Sequence, residues 1–214
     1  MPKIVFISDT HGQYMTEDVP DGDILVHCGD WSSYGSFQES ASFNEWLGKL
    51  PHEHKLITPG NHDIFTEKNT KQLNKEFFTN ATYIQDELIE VMGLKFWGSP
   101  WSKRWGRWAW MRESKDLINI YNEIPEGIDV FFSHGPPYGK LDSLGTHKGA
   151  VRAGCHSLTD AIERIKPRIF ACGHIHESGG QNFVEGVTQY INCAVLDGTY
   201  QIGQNPIVVD LSVK

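Results

Sequence analysis

Short apolar runs and helical patterns alternate along this chain. The apolar runs are rich in β-branched residues and have the length of buried strands. They cover residues 4–7, 24–26, 56–58, 130–132 and 169–171. Apolar residues at helical spacing predict amphipathic helices at 43–50, 68–78, 115–122 and 158–165. Residues 87–91 and 94–97 flank Met92-Gly93 and predict a hairpin, and residues 189–192 and 207–211 predict further strands.

The order of these elements indicates the fold class. Helices alternate with strands in the first half and again around residues 130–172, while hairpins occupy the middle and the end. This order is typical of an α/β layered sandwich with mixed sheets. The 214 residues are 39% hydrophobic and 21% charged, as in a folded globular protein. No linker, repeat or low-complexity stretch divides the chain, so we predict one domain over residues 1–214.

Charge and cysteine usage narrow the possible partners and location. The formal net charge of −8 opposes the basic surface that extended nucleic-acid binding requires, but a small anionic substrate stays compatible with it. No apolar run reaches the roughly 18 residues that span a bilayer, so no membrane partner is expected. The sequence starts without a signal-peptide pattern, and its four cysteines show no CxxC spacing. We therefore expect reduced thiols and a cytoplasmic location.

A polar cluster follows each of the five apolar runs. The clusters are Asp9-Thr10-His11, Gly29-Asp30, Gly60-Asn61-His62-Asp63, Ser133-His134-Gly135 and Gly173-His174-Ile175-His176. Loops at the carboxyl ends of strands in an open α/β sheet gather in one crevice, where ligands bind. Carboxylate, imidazole and amide ligands without thiolate suit manganese, iron or zinc. The ligands outnumber the needs of one ion, and two ions that share a bridging carboxylate would use all of them.

As a set, the five clusters resemble the motifs of the calcineurin-like metallophosphoesterase superfamily over nearly the whole chain. Further stretches resemble the branch that contains the metallophosphoesterase-domain-containing brain proteins. These stretches are Gly98-Ser99-Pro100-Trp101, residues 124–129, His134-Gly135-Pro136-Pro137, residues 173–177 and residues 206–211. The resemblance implies a four-layer α-β-β-α sandwich with two mixed β-sheets.

The resemblance also implies a role for each motif residue. One divalent ion would be bound by Asp9, His11 and His176. A second would be bound by Asn61, His134 and His174, with Asp30 bridging the pair. Manganese is the favoured metal, with iron or zinc as alternatives. Hydroxide from a water shared by the ions would attack phosphorus in line. His62 would protonate the leaving group as general acid, with Asp63 holding its ring.

Two departures from the family pattern concern the substrate. Serine/threonine phosphatases of this superfamily carry Arg where Pro59 stands, and Asp-Arg-Gly where this chain has Ser33-Tyr34-Gly35. Arg is the usual bidentate clamp for a phosphomonoester dianion, so its absence favours small phosphodiesters, including cyclic nucleotides. The alternatives are a phosphomonoesterase or nuclease of the same fold, or a nucleotide-binding regulatory protein with little turnover.

The segment at residues 97–112 combines five tryptophans with four cationic side chains. Its aromatic faces could stack a nucleobase while the cations hold phosphate, or the segment could pack on its own sheet. On the first interpretation, the candidate substrate-binding residues are Trp101, Arg104 and, after the fourth cluster, Tyr138. Five histidines match no cluster and are predicted to be surface or structural residues: His27, His52, His54, His147 and His156.

Overall fold

The computed structural model describes residues 1–15, 18–145 and 151–213. In chain order, the strands are β1 (Lys3–Ile7), β2 (Ile24–His27), β3 (His54–Ile57), β4 (Thr82–Tyr83), β5 (Glu87–Val91), β6 (Leu94–Ser99), β7 (Ser102–Lys103), β8 (Met111–Arg112), β9 (Val130–Ser133), β10 (Ser143–Leu144), β11 (Val151–Arg152), β12 (Ile169–Cys172), β13 (Asn182–Glu185), β14 (Thr188–Asn192) and β15 (Ile207–Asp210).

The helices in chain order are α1 (Phe37–Lys49), α2 (Ile64–Glu67), α3 (Lys71–Phe77), α4 (Ser114–Asn122) and α5 (His156–Ile165), and a 3₁₀ turn covers His176–Ser178. None of the helices in the described ranges has the length and apolar character needed to cross a membrane. His147 lies outside the described residues.

The strands form two large mixed sheets, as predicted. The first sheet has the order β15-β1-β2-β3-β4, in which β15 runs antiparallel to β1 and the other neighbours are parallel. The second has the order β13-β14-β12-β9-β6-β5, with a parallel centre and an antiparallel strand at each edge. The chain thus places most of its parallel strands where both faces can be covered.

Three apolar clusters define four layers. The cluster between the two sheets includes Ile4, Phe6 and Val26 from the first sheet and Phe96, Phe132 and Ile169 from the second. The outer face of the first sheet packs against Phe43, Trp46 and Leu47 of α1. The outer face of the second sheet packs against α4 and α5. The predicted α-β-β-α sandwich is therefore confirmed.

Most predicted elements agree with the structure, but two helices start elsewhere. Helix α1 begins at Phe37, six residues before the predicted start at residue 43. The helix predicted over 68–78 begins only at Lys71, after the separate short helix α2. Its start is fixed because the Thr70 side chain accepts a hydrogen bond from the N–H of Leu73 at 3.2 Å. Strand β13 was not predicted, because this exposed edge strand lacks the apolar alternation of a half-buried strand. All four cysteines are buried and free, as expected.

The carboxyl ends of the parallel strands from both sheets meet at one edge of the molecule. An isolated bridge joins Ser8, directly after β1, to Ala194, which follows β14 of the other sheet. The N–H of Val195 donates to the Ser8 carbonyl at 3.1 Å, which adds to this junction. The loops after β1, β2, β3, β9 and β12 therefore converge at this edge.

Candidate metal centre

The converging loops bring the predicted metal ligands together. Three groups of side chains have ligand atoms within 4.8 Å of one another. They are Asp9, His11 and His176; His11, Asp30 and His62; and Asp30, His134 and His174. Asn61 joins the third group, because its Oδ1 lies 2.8 Å from Nε2 of His134.

The backbone at four of these residues has positive φ. The values are 56° at Asp9, 42° at His11, 56° at Asp30 and 67° at His174. Few residues other than glycine adopt this region, and such strain persists only where the surrounding structure enforces it. Here the N–H of Asp9 donates to the Gly29 carbonyl at 2.9 Å, and that of His11 to the Asp30 carbonyl at 3.0 Å. The loops after β1 and β2 thus hold each other in place.

Gly60 permits the close approach of the loops after β2, β3 and β9. A Cβ atom at this position would lie 2.6 Å from the backbone nitrogen of Asp30 and 2.6 Å from Cε1 of His134. Both distances are shorter than van der Waals contact, and neither neighbour is a flexible side-chain end. Glycine is therefore required before Asn61 for steric reasons.

The first group pairs a buried carboxylate with two oriented imidazoles. Oδ1 of Asp9 lies 3.2 Å from Nε2 of His176, whose Nδ1 donates to the Asp197 carbonyl at 3.0 Å. Nδ1 of His11 donates to the Ser32 carbonyl at 2.9 Å, which leaves its Nε2 with a lone pair. That Nε2 is buried without a hydrogen-bond partner among the described residues. A histidine that binds a metal usually donates one ring N–H to a carbonyl and presents its other ring nitrogen to the ion. Nε2 of His11 is such a nitrogen, because it is buried and has no other partner in the described part of the chain.

The third group centres on His134. Its Nε2 lies 2.8 Å from Oδ1 of Asn61 and 3.3 Å from Oδ2 of Asp30, and its Nδ1 donates to the Cys28 carbonyl at 3.0 Å. The ring of His174 packs edge-on at 4.9 Å between centroids. Oδ2 of Asp30 also lies 3.9 Å from Nε2 of His11. Asp30 therefore lies between the first group and the third.

Burial and mutual pairing shift the pKa values of these groups. Burial raises the pKa of Asp9 and of Asp30, but the hydrogen bonds and charges of nearby histidines outweigh it and leave both values low. Burial lowers the pKa of His134 and of His176, but their carboxylate partners raise both to about 9. The pKa of His174 is lowered, mainly by burial. In the metal-free protein, two imidazolium–carboxylate pairs therefore balance the buried charge.

The donor set fits divalent metal ions. It combines carboxylate, imidazole and amide oxygen without thiolate, and its ring nitrogens are oriented by backbone carbonyls.

The expectation that Asp63 holds the His62 ring is wrong. The Asp63 carboxylate instead accepts hydrogen bonds from three backbone N–H groups, those of Gly60 at 2.7 Å, Asp30 at 2.8 Å and Ser32 at 3.0 Å. Asp63 takes these contacts because the N–H groups are buried and would otherwise lack partners. Nδ1 of His62 donates to the Ser33 carbonyl at 2.8 Å.

His62 lies at the edge of the centre. Its ring stacks on Trp108 with 4.2 Å between centroids and packs edge-on against His11 at 4.7 Å. One of its ring nitrogens is close enough to His11 and Asp30 to share a metal ion with them. The geometry thus allows His62 to act as a ligand or as the predicted proton donor.

The three residues predicted to bind substrate lie elsewhere. Trp101 is buried, and its indole N–H donates to Asp86 at 2.7 Å, so it follows the packing interpretation. Arg104 pairs with Glu113 at 3.0 Å. Tyr138 stacks on His156 at 3.7 Å. Among the described residues, the cavities at the centre are lined without these three side chains.

Other aromatic and basic residues line the cleft instead. Three cavities of about 160, 220 and 240 Å³ share lining residues and form one cleft over the candidate ligands. Lys103 and Trp105 line one of these cavities, Tyr200 lies beside His11 in another, and Trp108 lines both. The Trp-rich composition pointed to the correct segment but not to these members of it. Tyr200 has no motif that could have identified it.

Comparison with known proteins identifies the family to which the chain belongs. Residues 2–178 match the calcineurin-like phosphoesterase family, and the chain belongs to it. The protein is 36% identical to human metallophosphoesterase domain-containing protein 1 over 233 residues, covering 98% of this chain and 71% of that protein. It is 34% identical to UPF0046 protein C25E10.12 of Caenorhabditis elegans over 227 residues, covering 98% and 80%.

A solved structure agrees with the fold. The phosphopantetheinyl hydrolase of Mycobacterium tuberculosis superposes with a TM-score of 0.63 at 12% identity, covering 92% of this chain and 90% of that one. At this identity the likeness concerns the fold alone. Family membership, together with the donor set, makes the protein a metal-dependent phosphoesterase with a phosphate-ester substrate.

The raised pKa values of His134 and His176 predict that metal uptake releases protons. Both imidazoles carry a proton at pH 7 in the metal-free protein and must lose it to bind a metal, so we expect release of about two protons per chain at pH 7. The release should fall, and the metal affinity rise, between pH 7 and 9. Calorimetric titration with manganese in buffers of different ionisation enthalpy measures both.

A control variant distinguishes protons released by the histidines from protons released by metal-bound water. His176→Gln should release about one proton fewer than the parent at pH 7, because Gln carries none. Metal binding without net proton release at pH 7 would contradict the assignment.

Proposed function

We propose that the protein is a binuclear phosphodiesterase that hydrolyses small phosphate diesters, including cyclic nucleotides. The observation that carries this proposal is the position of Asp30. Its Oδ2 lies 3.3 Å from Nε2 of His134 and 3.9 Å from Nε2 of His11, so one carboxylate faces both ligand groups. A carboxylate shared in this way is how two neighbouring ions are usually held. Manganese is the metal we favour, and iron or zinc would also suit the donors.

The ligand assignment follows the two groups. Asp9, His11 and His176 would hold one ion, and Asn61, His134 and His174 the other, with Asp30 between them. When bound, two such ions activate a water molecule and neutralise the phosphoryl oxygens. The side chains themselves supply the orientation, because ring nitrogens of His11, His134 and His176 donate to backbone carbonyls.

His62 is the proton donor in this proposal. Its Nδ1–H is occupied by the Ser33 carbonyl, so Nε2 is the nitrogen available to the leaving group. As the bond from phosphorus to the leaving oxygen breaks, the proton passes from Nε2 to that oxygen. Stacking on Trp108, with 4.2 Å between ring centroids, limits rotation of the His62 ring.

The cleft favours a diester with a flat substituent. Lys103 is the one Lys or Arg side chain among the described residues that line its three cavities, so the cleft lacks the arginine clamp that suits a phosphomonoester dianion. Trp105 and Trp108 are 62% and 45% exposed beside it. Exposed indole faces stack well on nucleobases, which supports a small nucleotide substrate.

Replacement of the bridging carboxylate tests the binuclear assignment. Asp30→Asn should lower metal content as well as activity, because a neutral amide cannot balance two dications. Elemental analysis of purified protein measures the metal. Asp160→Asn, which removes the same charge from an exposed site on α5, should retain the metal. Two ions per chain in both variants would exclude a bridging role for Asp30.

Substrate preference tests the diester assignment. An aryl phosphodiester should be cleaved with a higher kcat/KM than the matched aryl monoester, in the same buffer with the same metal. The reason is that the described residues lining the cleft include no arginine to clamp the monoester dianion. A steady-state assay with added manganese compares the two. Preference for the monoester would favour a phosphomonoesterase, and nucleotide affinity without hydrolysis of either ester would favour a regulatory binding protein.

Leaving-group dependence tests the role of His62. His62→Ala should keep its metal and lose roughly 10²–10⁴-fold in rate on a cyclic nucleotide, because the ribose oxygen needs a proton as it departs. Nitrophenolate leaves without one, so the loss on a nitrophenyl diester should be much smaller. His54→Ala, a change outside the centre, serves as the control. Equal losses on both substrates would indicate phosphate positioning instead, and loss of metal would make His62 a ligand.

A further inference from the structure

Two successive carbonyls hold two histidines of the centre. The Ser32 carbonyl accepts from Nδ1 of His11 at 2.9 Å, and the Ser33 carbonyl accepts from Nδ1 of His62 at 2.8 Å. A backbone carbonyl can orient a ring only as well as its own peptide plane is fixed. The orientation of both rings therefore depends on what fixes these two peptide units.

The carboxylate of Glu39 binds the opposite side of both peptide units. Its Oε1 accepts from the N–H of Ser33 at 2.8 Å and from the N–H of Tyr34 at 3.0 Å. The N–H of Ser33 and the carbonyl of Ser32 belong to the same peptide unit. Because this unit is planar, a bond that fixes the N–H also fixes the carbonyl. The N–H of Tyr34 belongs in the same way to the unit that carries the Ser33 carbonyl. Each unit is thus held by Glu39 on one side and by an imidazole on the other.

These contacts go beyond what the start of α1 requires. Glu39 and Ser36 form a capping box, in which Oε2 of Glu39 accepts from the N–H of Ser36 at 2.9 Å. A capping box needs only this reciprocal pair. The two bonds from Oε1 to Ser33 and Tyr34 lie outside the helix and serve the loop instead. Hydrogen bonds in such a chain also polarise one another, so the carboxylate strengthens both carbonyls as acceptors.

We propose that Glu39 is a positioning residue that sets the orientation of His62 and His11 through the peptide units of residues 32–34. For His62 the inference rests on the proposed proton transfer. As the oxygen of the attacking water bonds to phosphorus, the bond between phosphorus and the leaving oxygen breaks. The proton of Nε2 moves to that leaving oxygen, and the ring is left neutral with its Nδ1–H on the Ser33 carbonyl. Glu39 touches no reacting atom and acts only through this carbonyl.

The kinetic test compares three variants on two substrates. Glu39→Ala should lower kcat on a cyclic nucleotide by roughly 10- to 100-fold, with little change in KM, because a displaced acid protonates the leaving oxygen poorly. The loss on a nitrophenyl diester should be clearly smaller. Glu39→Gln retains an oxygen that can accept from Ser33 and Tyr34, so it should restore most of the rate. Ser36→Ala removes the cap and leaves the loop contacts, so it should keep the substrate dependence of the parent.

A spectroscopic test requires no activity. In the metal-free parent, ¹⁵N NMR should report a protonated Nδ1 for both His11 and His62, since each donates to a carbonyl. Glu39→Ala should shift both ring signals towards the mixture typical of free imidazole, and Ser36→Ala should not. Glu39→Asp, which is one methylene shorter but keeps the charge, replaces the Ala variant if that variant does not fold.

The outcomes distinguish this inference from the proposed function. Unchanged ring signals in Glu39→Ala, with equal rate losses on both substrates and a Tm decrease like that of Ser36→Ala, would reduce Glu39 to a helix cap and overturn the inference. If His62→Ala itself shows no leaving-group dependence, the proton-donor role fails. The ring signals then still decide whether Glu39 positions the two histidines.

Discussion

The centre depends on one carboxylate that binds no ring. Asp63 accepts N–H groups from Asp30, Ser32 and Gly60 and so ties the loop after β2 to the loop after β3. Burial raises the pKa of this carboxyl well above its usual range, and the nearby charge of Asp30 adds to the shift, while its N–H partners oppose it. Two features of the centre depend on this junction between the loops. It sets Asp30 between the two histidine groups, and it fixes the segment whose carbonyls hold His11 and His62.

The centre also has to remain folded before a metal arrives. Burying an isolated ionised carboxylate or imidazole is unfavourable by several kcal/mol, and a close partner of opposite charge offsets much of that cost. Asp9 with His176, and Asp30 with His134, supply such pairs. The same side chains belong to the groups whose ligand atoms lie close enough together to hold a metal ion. The pairs that stabilise the metal-free fold are thus also the proposed metal ligands.

The layers and the location of the centre could be predicted from the sequence. An apolar run followed by Asp, His or Asn can be recognised without any knowledge of three-dimensional contacts. The sequence could not show which partner a side chain selects. Asp63 follows His62 directly, yet its carboxylate faces buried backbone N–H groups. Trp101 and Trp108 belong to one aromatic segment, but they have different environments. Trp101 is buried and donates to Asp86, whereas Trp108 stacks on His62. Such choices depend on contacts between residues distant in sequence, which periodicity does not record.

The loss of the arginine clamp and the support of the two histidines involve the same segment. Ser33-Tyr34-Gly35 stands where related phosphatases carry Asp-Arg-Gly, and its backbone contacts both His62 and Glu39. Gly35 adopts φ 68° and lets the turn pack on the chain after His62, where a Cβ would lie 2.7 Å from Cβ of Ile64. The side chains of Ser33 and Tyr34 line the cleft, but neither carries the positive charge that clamps a phosphate dianion. The proposed preference for diesters and the proposed dependence of His62 on Glu39 therefore both involve this segment.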